Sequence, residues 1–137
     1  MPYPKRQHGF TLIEVIVVIA LLGLLMAYVA PEMFGRADQA KRKAASIQLE
    51  KIGAAVELYK LETGYFPQRL DELVTRPTGM ANWRGPYLKK KSLLKDPWDR
   101  ALVYTQPGAH GRFDLLSLGG DGEPGGEGDA ADVVSWQ

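Results

Sequence analysis

The chain has no cysteine, so no disulfide can staple its fold in any compartment. Its two histidines, His8 and His110, are not paired in sequence, which leaves no zinc site of the usual Cys/His kind. Both are read as solvated, His110 in a Gly-Ala-His-Gly turn. An excess of charge of one sign is lacking too. Lysine and arginine number 17 against 16 aspartates and glutamates, a net +1, so composition announces neither a nucleic-acid footprint nor a site for acidic substrates. The Lys89-Lys90-Lys91 run is accordingly read as a solvated face. No glycine-rich phosphate loop follows a strand, and Ser117 has no histidine and carboxylate at readable spacing, so catalysis is not expected. No internal repeat is found.

What the chain does have is an almost unbroken apolar run over residues 10–30, with one carboxylate, Glu14, inside it. At ~1.5 Å per helical residue the run crosses most of a ~30 Å hydrocarbon core. A carboxylate at mid-bilayer costs roughly 2.5–3.5 kcal/mol on insertion scales, so it marks function or needs a partner. The alternative is that Glu14 snorkels toward the interface. Lys5 and Arg6 precede the run, which predicts a cytoplasmic N-terminus and an outward C-terminal domain. A cleaved secretory signal fits poorly, because cutting after Ala27 or Ala30 sets Leu25 or Tyr28 where a small residue is wanted. Hydropathy alone favours an ordinary signal anchor; the spacing of Gly9, Phe10 and Glu14 argues against it.

About a hundred residues remain, enough for one small domain. Ala45, Leu49, Ile52, Val56 and Tyr59 recur at steps of four and three, predicting an amphipathic helix to about Glu62 whose stripe is core against a sheet. Pro31 and Gly35 predict a kink or melted turn, and Gly64 supplies the stop. Residues 70–74 form a short helical turn and residues 76–87 a structured loop broken by prolines and glycines. Strands are expected at 102–104 and 113–118 with a hairpin loop at 107–111, after a turn at Asp96-Pro97-Trp98, so that two or three antiparallel strands cover the apolar face of the helix. Trp83, Trp98 and Trp136 are read as anchors of the small domain. The fold class is therefore α+β: a long N-terminal helix, membrane-spanning in its first half, on a small antiparallel sheet. The segments are a leader at 1–9, a membrane helix at 10–30, its amphipathic continuation at 31–62, and a loop-and-sheet region at 63–137.

The last stretch is acidic and glycine-rich. Asp121, Glu123, Glu127, Asp129 and Asp132 sit among glycines that let carbonyls turn inward, a donor set that suits Ca²⁺ better than Mg²⁺. The spacing is not that of an EF-hand, and composition alone favours a solvated tail.

The segment Gly9-Phe10-Thr11-Leu12-Ile13-Glu14 resembles the processing site of the type IV pilin and type II secretion pseudopilin superfamily. Further on, Gly85-Pro86-Tyr87-Leu88, Asp96-Pro97-Trp98, Ser117-Leu118-Gly119-Gly120-Asp121-Gly122 and Gly125-Gly126-Glu127-Gly128 with Ala131-Asp132 resemble, in order, the G-type major pseudopilins. Two departures stand out: Arg100-Ala101 follows Asp99 where a glycine turn is expected, and Glu123-Pro124 stiffens the acidic loop.

The resemblance implies cleavage between Gly9 and Phe10, N-methylation of Phe10, and a calcium ion held by Asp121, Asp132 and Asp129 with backbone carbonyls near Leu118 and Ser135. It implies a non-enzymatic subunit of a periplasmic pseudopilus, anchored in the inner membrane by one pass, that drives export of folded proteins across the outer membrane. Its implied partners are other copies of itself, a prepilin peptidase and methyltransferase, minor pseudopilins, and an inner-membrane platform with its cytoplasmic ATPase. Physical reasoning joins it at Glu14: a cut after Gly9 creates an α-amine with a pKa near ~8, a cation available to a neighbour's carboxylate. The alternatives are a type IV or DNA-uptake pilin, and a signal-anchored monomeric periplasmic calcium-binding module. The absent cysteines weigh against the pilin, since many pilins close their C-terminal region with a disulfide.

Overall fold

Thr11 starts the main helix. Its carbonyl accepts from the N–H of Glu14 and Val15 at 3.1 and 3.3 Å, and its Oγ1 also accepts from Glu14 N–H at 3.3 Å, which satisfies donors that a helix start leaves open. The structure is a computed structural model that describes residues 9–136; residues 1–8 of the leader lie outside the described residues, as do the side chains at 30–35 and at Asp129. The helix, α1, runs Leu12–Thr63. It runs through Pro31 and Gly35 without a break, so of the kink or melted turn expected there the melted turn is not found. It stops where Gly64 takes a φ of 89° and donates to Lys60 O at 2.8 Å. The hydroxyl of Thr63 donates to Tyr59 O at 2.7 Å.

The chain divides into two compact units, residues 1–36 and 37–137. In the first, Leu12–Val29 is an 18-residue helical stretch long and apolar enough to cross a membrane, and none of it is buried.

In the second, the expected stripe is the core. Ala45, Leu49, Ile52, Val56 and Tyr59 are each no more than 1% exposed. They pack with Leu70, Leu73, Leu88, Leu102, Leu115 and Val133. The sheet has three antiparallel strands in the order β1 (Val103–Thr105), β2 (Asp114–Ser117), β3 (Val133–Val134). Tyr104 pairs with Leu115, and Ser117 pairs with Val133. Leu115 and Ser117 share one face by the period of two, and both are fully buried. Short 3₁₀ turns at Leu70–Leu73, Lys91–Leu94 and Gly128–Ala130 carry the connections. Gln48 fastens the second turn to α1 by donating to Leu93 O at 2.7 Å.

β3 supplies the third antiparallel strand, beyond the acidic stretch, at a place the sequence does not mark. Two valines are too short a signal to read in sequence, yet Val133 closes the core and draws the end of the chain onto the sheet. The solvated tail that composition favours is thereby replaced by a loop tied at both ends.

Candidate functional site

The N-terminal residues come first. Phe10 is exposed, and Glu14 lies exposed in the first turn of α1. Thr11-Leu12-Ile13-Glu14 has the form of a capping box, and its first half is made by the bond from Glu14 N–H to Thr11 Oγ1. A carboxylate in the first turn also faces the positive end of the helix dipole. Sequence reasoning weighed pairing and snorkelling for Glu14 and missed this third role, although Thr-x-x-Glu before an apolar run was its signal.

The C-terminal loop spans Leu118 to Asp132, between β2 and β3. Asp132 closes it on Gly125 twice: its N–H donates to Gly125 O at 2.9 Å, and its Oδ2 accepts from Gly125 N–H at 3.0 Å. Among the described residues, Asp132 Oδ1 is buried with no hydrogen-bond partner. Two glycines permit the tight return: at Gly119 (φ 63°) a Cβ would lie 2.7 Å from Ala131 O, and at Gly126 (φ 81°) it would lie 2.5 Å from Ala130 O. Asp121 Oδ1 accepts from Glu123 N–H at 3.0 Å, and Leu118 O accepts from Gly122 N–H at 3.1 Å. Ser135 is bound to β2, its N–H donating to Leu115 O at 3.0 Å. The side chain of Asp129 lies outside the described residues. Among the described residues, no group of three or more His, Cys, Asp or Glu side chains gathers as a metal cluster. The orphaned oxygen of Asp132 is nevertheless a hard donor of the kind a calcium ion takes, and burying it unpaired carries a cost that a cation would offset.

Beside the loop stands Asp96, buried at the Asp-Pro-Trp turn. Its Oδ1 accepts from the N–H of Trp98 and Arg100 at 3.0 and 2.9 Å, and its Oδ2 accepts from the Ser117 hydroxyl at 2.6 Å. Ser117 Oγ in turn accepts from Gly119 N–H at 3.3 Å. The glycine turn that the family pattern led us to expect is made by Asp99, which takes a φ of 64°; aspartate tolerates that left-handed conformation better than most side chains. The strand expected at 102–104 is found one residue later, at Val103–Thr105. Arg42 and Arg100 reach the loop. Arg42 donates to Ala131 O, and Arg100 Nη1 donates to the carbonyls of Gly119 and Gly120 at 2.7 and 3.1 Å.

His110 is not merely solvated. Its Nδ1 lies 3.0 Å from Asp114 Oδ2, and its ring stacks on Trp136 with centroids 4.1 Å apart and planes within 4°. Asp114 also accepts from the N–H groups of Ala109 and His110. Burial alone would raise its pKa, but the hydrogen bonds from His110 and these amides outweigh it and hold the carboxyl below the usual range. Of the other tryptophans, Trp83 donates Nε1–H to Glu72 O at 2.9 Å, an anchor as expected. Lys91 pairs with Asp71 at 3.2 Å on the surface.

Comparison with known proteins gives a consistent result over nearly the whole chain. The family model described as type II secretion system (T2SS), protein G matches residues 32–136, and the prokaryotic N-terminal methylation motif matches residues 4–30. The type II secretion system core protein G of Pseudomonas aeruginosa is 45% identical over 139 residues, covering 96% of both chains. That of Xanthomonas campestris is 41% identical, covering 96% of this chain and 92% of its own. The crystal structure of the major pseudopilin from the type 2 secretion system of enterohaemorrhagic Escherichia coli superposes with a TM-score of 0.63 at 29% identity. It covers 74% of this chain and 87% of that one.

Proposed function

This chain belongs to the type II secretion system protein G family and is a pseudopilin subunit of that system; from that premise we propose that it polymerises through α1 into a periplasmic pseudopilus that drives export of folded proteins. The observation that carries this reading is the first half of α1. Leu12–Val29 is apolar and wholly unburied within one chain, so it needs lipid before assembly and neighbouring helices after it.

Glu14 is the register device. A peptidase cut between Gly9 and Phe10 would leave an α-amine one residue ahead of the Thr11 cap, and methylation would keep it protonatable. Glu14 of one subunit then pairs with the Phe10 amine of its neighbour, and two charges that are costly in lipid offset each other. The capping bond from Glu14 uses its backbone N–H, so the carboxylate is left for that pairing. In this reading the N-terminus is cytoplasmic and residues 37–137 are periplasmic. The work of export comes from an inner-membrane platform and its ATPase, with minor pseudopilins as further partners and no chemistry catalysed by this chain.

The acidic loop is a calcium site in the same reading, with Asp132 and Asp121 as side-chain ligands, Asp129 a third, and carbonyls near Leu118 and Ser135 completing the set. The unpaired, buried Asp132 Oδ1 supports it. Calcium would supply a multivalent cross-link between loop and sheet where no disulfide exists.

Assembly is tested by Glu14→Ala expressed with the peptidase. The expected product is cleaved, methylated and inserted, yet absent from sheared filaments. Normal filaments from this variant would sink the pairing.

A further inference from the structure

Arg100 occupies a position that no catalytic, binding or assembly role accounts for. Its guanidinium does not sit on a carboxylate: among the described residues its donors go to two successive carbonyls of the C-terminal loop, Gly119 O at 2.7 Å and Gly120 O at 3.1 Å. It also lies close against Gly122, where an added Cβ would come within 2.7 Å of both Cζ and Nε. A side chain at position 122 would therefore push the guanidinium out. The root of Arg100 is fixed as well. Its N–H is held by Asp96 Oδ1 at 2.9 Å and its carbonyl accepts from Asp96 N–H at 2.8 Å. The same carboxylate holds Ser117, the residue from which the loop departs.

A cation that gathers loop carbonyls is what a calcium ion is asked to be. Arginine differs in being permanently charged, planar and covalently attached, so its contribution does not depend on ion concentration. Hydrogen bonds from a charged donor are about twice as strong as neutral ones. We propose that Arg100 is a resident cation of the C-terminal loop, a positioning residue that holds residues 119–122 in their folded shape without metal and so lessens the loop's dependence on calcium. The second half of that statement rests on the calcium reading above; the first half does not.

The test uses the full chain in detergent micelles, as wild type, Arg100→Gln and Arg100→Lys. Amide hydrogen exchange at Gly122, whose N–H is bound to Leu118 O, is followed in chelator, and thermal unfolding is followed in chelator and in calcium chloride. In chelator, Gly122 of Arg100→Gln is expected to exchange about tenfold faster than wild type. Arg100→Lys, which keeps the charge and loses the fork, falls between. Calcium is expected to raise the Tm of Arg100→Gln by more than it raises that of wild type. Unchanged exchange together with equal calcium shifts in both proteins would overturn the proposal while leaving the calcium reading intact. Faster exchange in Arg100→Gln with no calcium response in any of the three would uphold the arginine clamp and remove the calcium reading.

Discussion

The hydroxyl of Ser117 donates to Asp96 Oδ2 at 2.6 Å, and both residues are buried, so the C-terminal end of β2 is fastened to the turn that precedes β1 by a charge-assisted bond inside the domain. Asp96→Ala removes the acceptor of three donors at once and is expected to cost about 3 kcal/mol or more. Ser117→Ala removes one donor and strands a carboxylate oxygen, for about 1–3 kcal/mol. Urea unfolding of both variants checks the order; equal and negligible losses would show that the fastening contributes nothing.

The core prediction follows from the stripe on α1. Leu49→Ala and Leu115→Ala each open a cavity among fully buried side chains and are expected to lose about 2–5 kcal/mol. Leu61, on the same helix but 81% exposed, is expected to change the stability of the unassembled chain by within about 0.5 kcal/mol when replaced by alanine.

How much of this was legible can be told residue by residue. The stripe from Ala45 to Tyr59 could be read because a period of 3.6 repeated over several turns has few competing explanations. β3 could not, because two residues carry no period and an acidic, glycine-rich approach reads as solvated. Asp96 appeared only as part of a turn: a sequence shows that an aspartate precedes a proline, but not that Ser117 will come within 2.6 Å of it. Arg100 was noticed as a departure from a pattern, and its role needed the loop's carbonyls in place. At the membrane end Glu14 was plain, since one charge in an apolar run has to be explained, while its cap with Thr11 was overshadowed by that explanation.

The pH dependence has two limbs. Asp114 is held below the ordinary carboxylate range when folded, so its contribution is complete at neutral pH. It declines as pH falls through ~4, where the unfolded carboxyl takes its proton, and is gone once the folded carboxyl is protonated. Asp114→Asn should flatten this acid limb. At the other end, burial and then the nearby Glu72 charge push Tyr104 up to about 12. Its contribution is complete below ~10, where a free tyrosine ionises, and is lost as pH rises from there through the folded value. Burial, followed by a hydrogen bond to Glu72, raises Tyr59 as well. Tyr104→Phe should therefore lessen the loss of stability above pH ~10. Denaturation midpoints across pH test both limbs.

Calcium dependence should reside in Asp132. If its orphaned Oδ1 is a metal donor, wild type melts higher in calcium than in chelator, and Asp132→Asn loses that difference. In chelator alone the variant should be no less stable than wild type by more than about 1 kcal/mol, since the amide can still accept from Gly125. A calcium shift that survives Asp132→Asn would place the metal elsewhere.

The most direct test of the central claim, an export subunit assembled through the charge at Glu14, is complementation of a chromosomal deletion with wild type or Glu14→Gln. Glutamine keeps the backbone cap to Thr11 and a similar shape, and removes only the charge. Secreted enzymes are then assayed in medium and periplasm. The expected result is export restored by wild type, with enzymes trapped in the periplasm when Glu14→Gln is supplied at equal level. Full export with Glu14→Gln, or normal secretion in the deletion itself, would contradict the account.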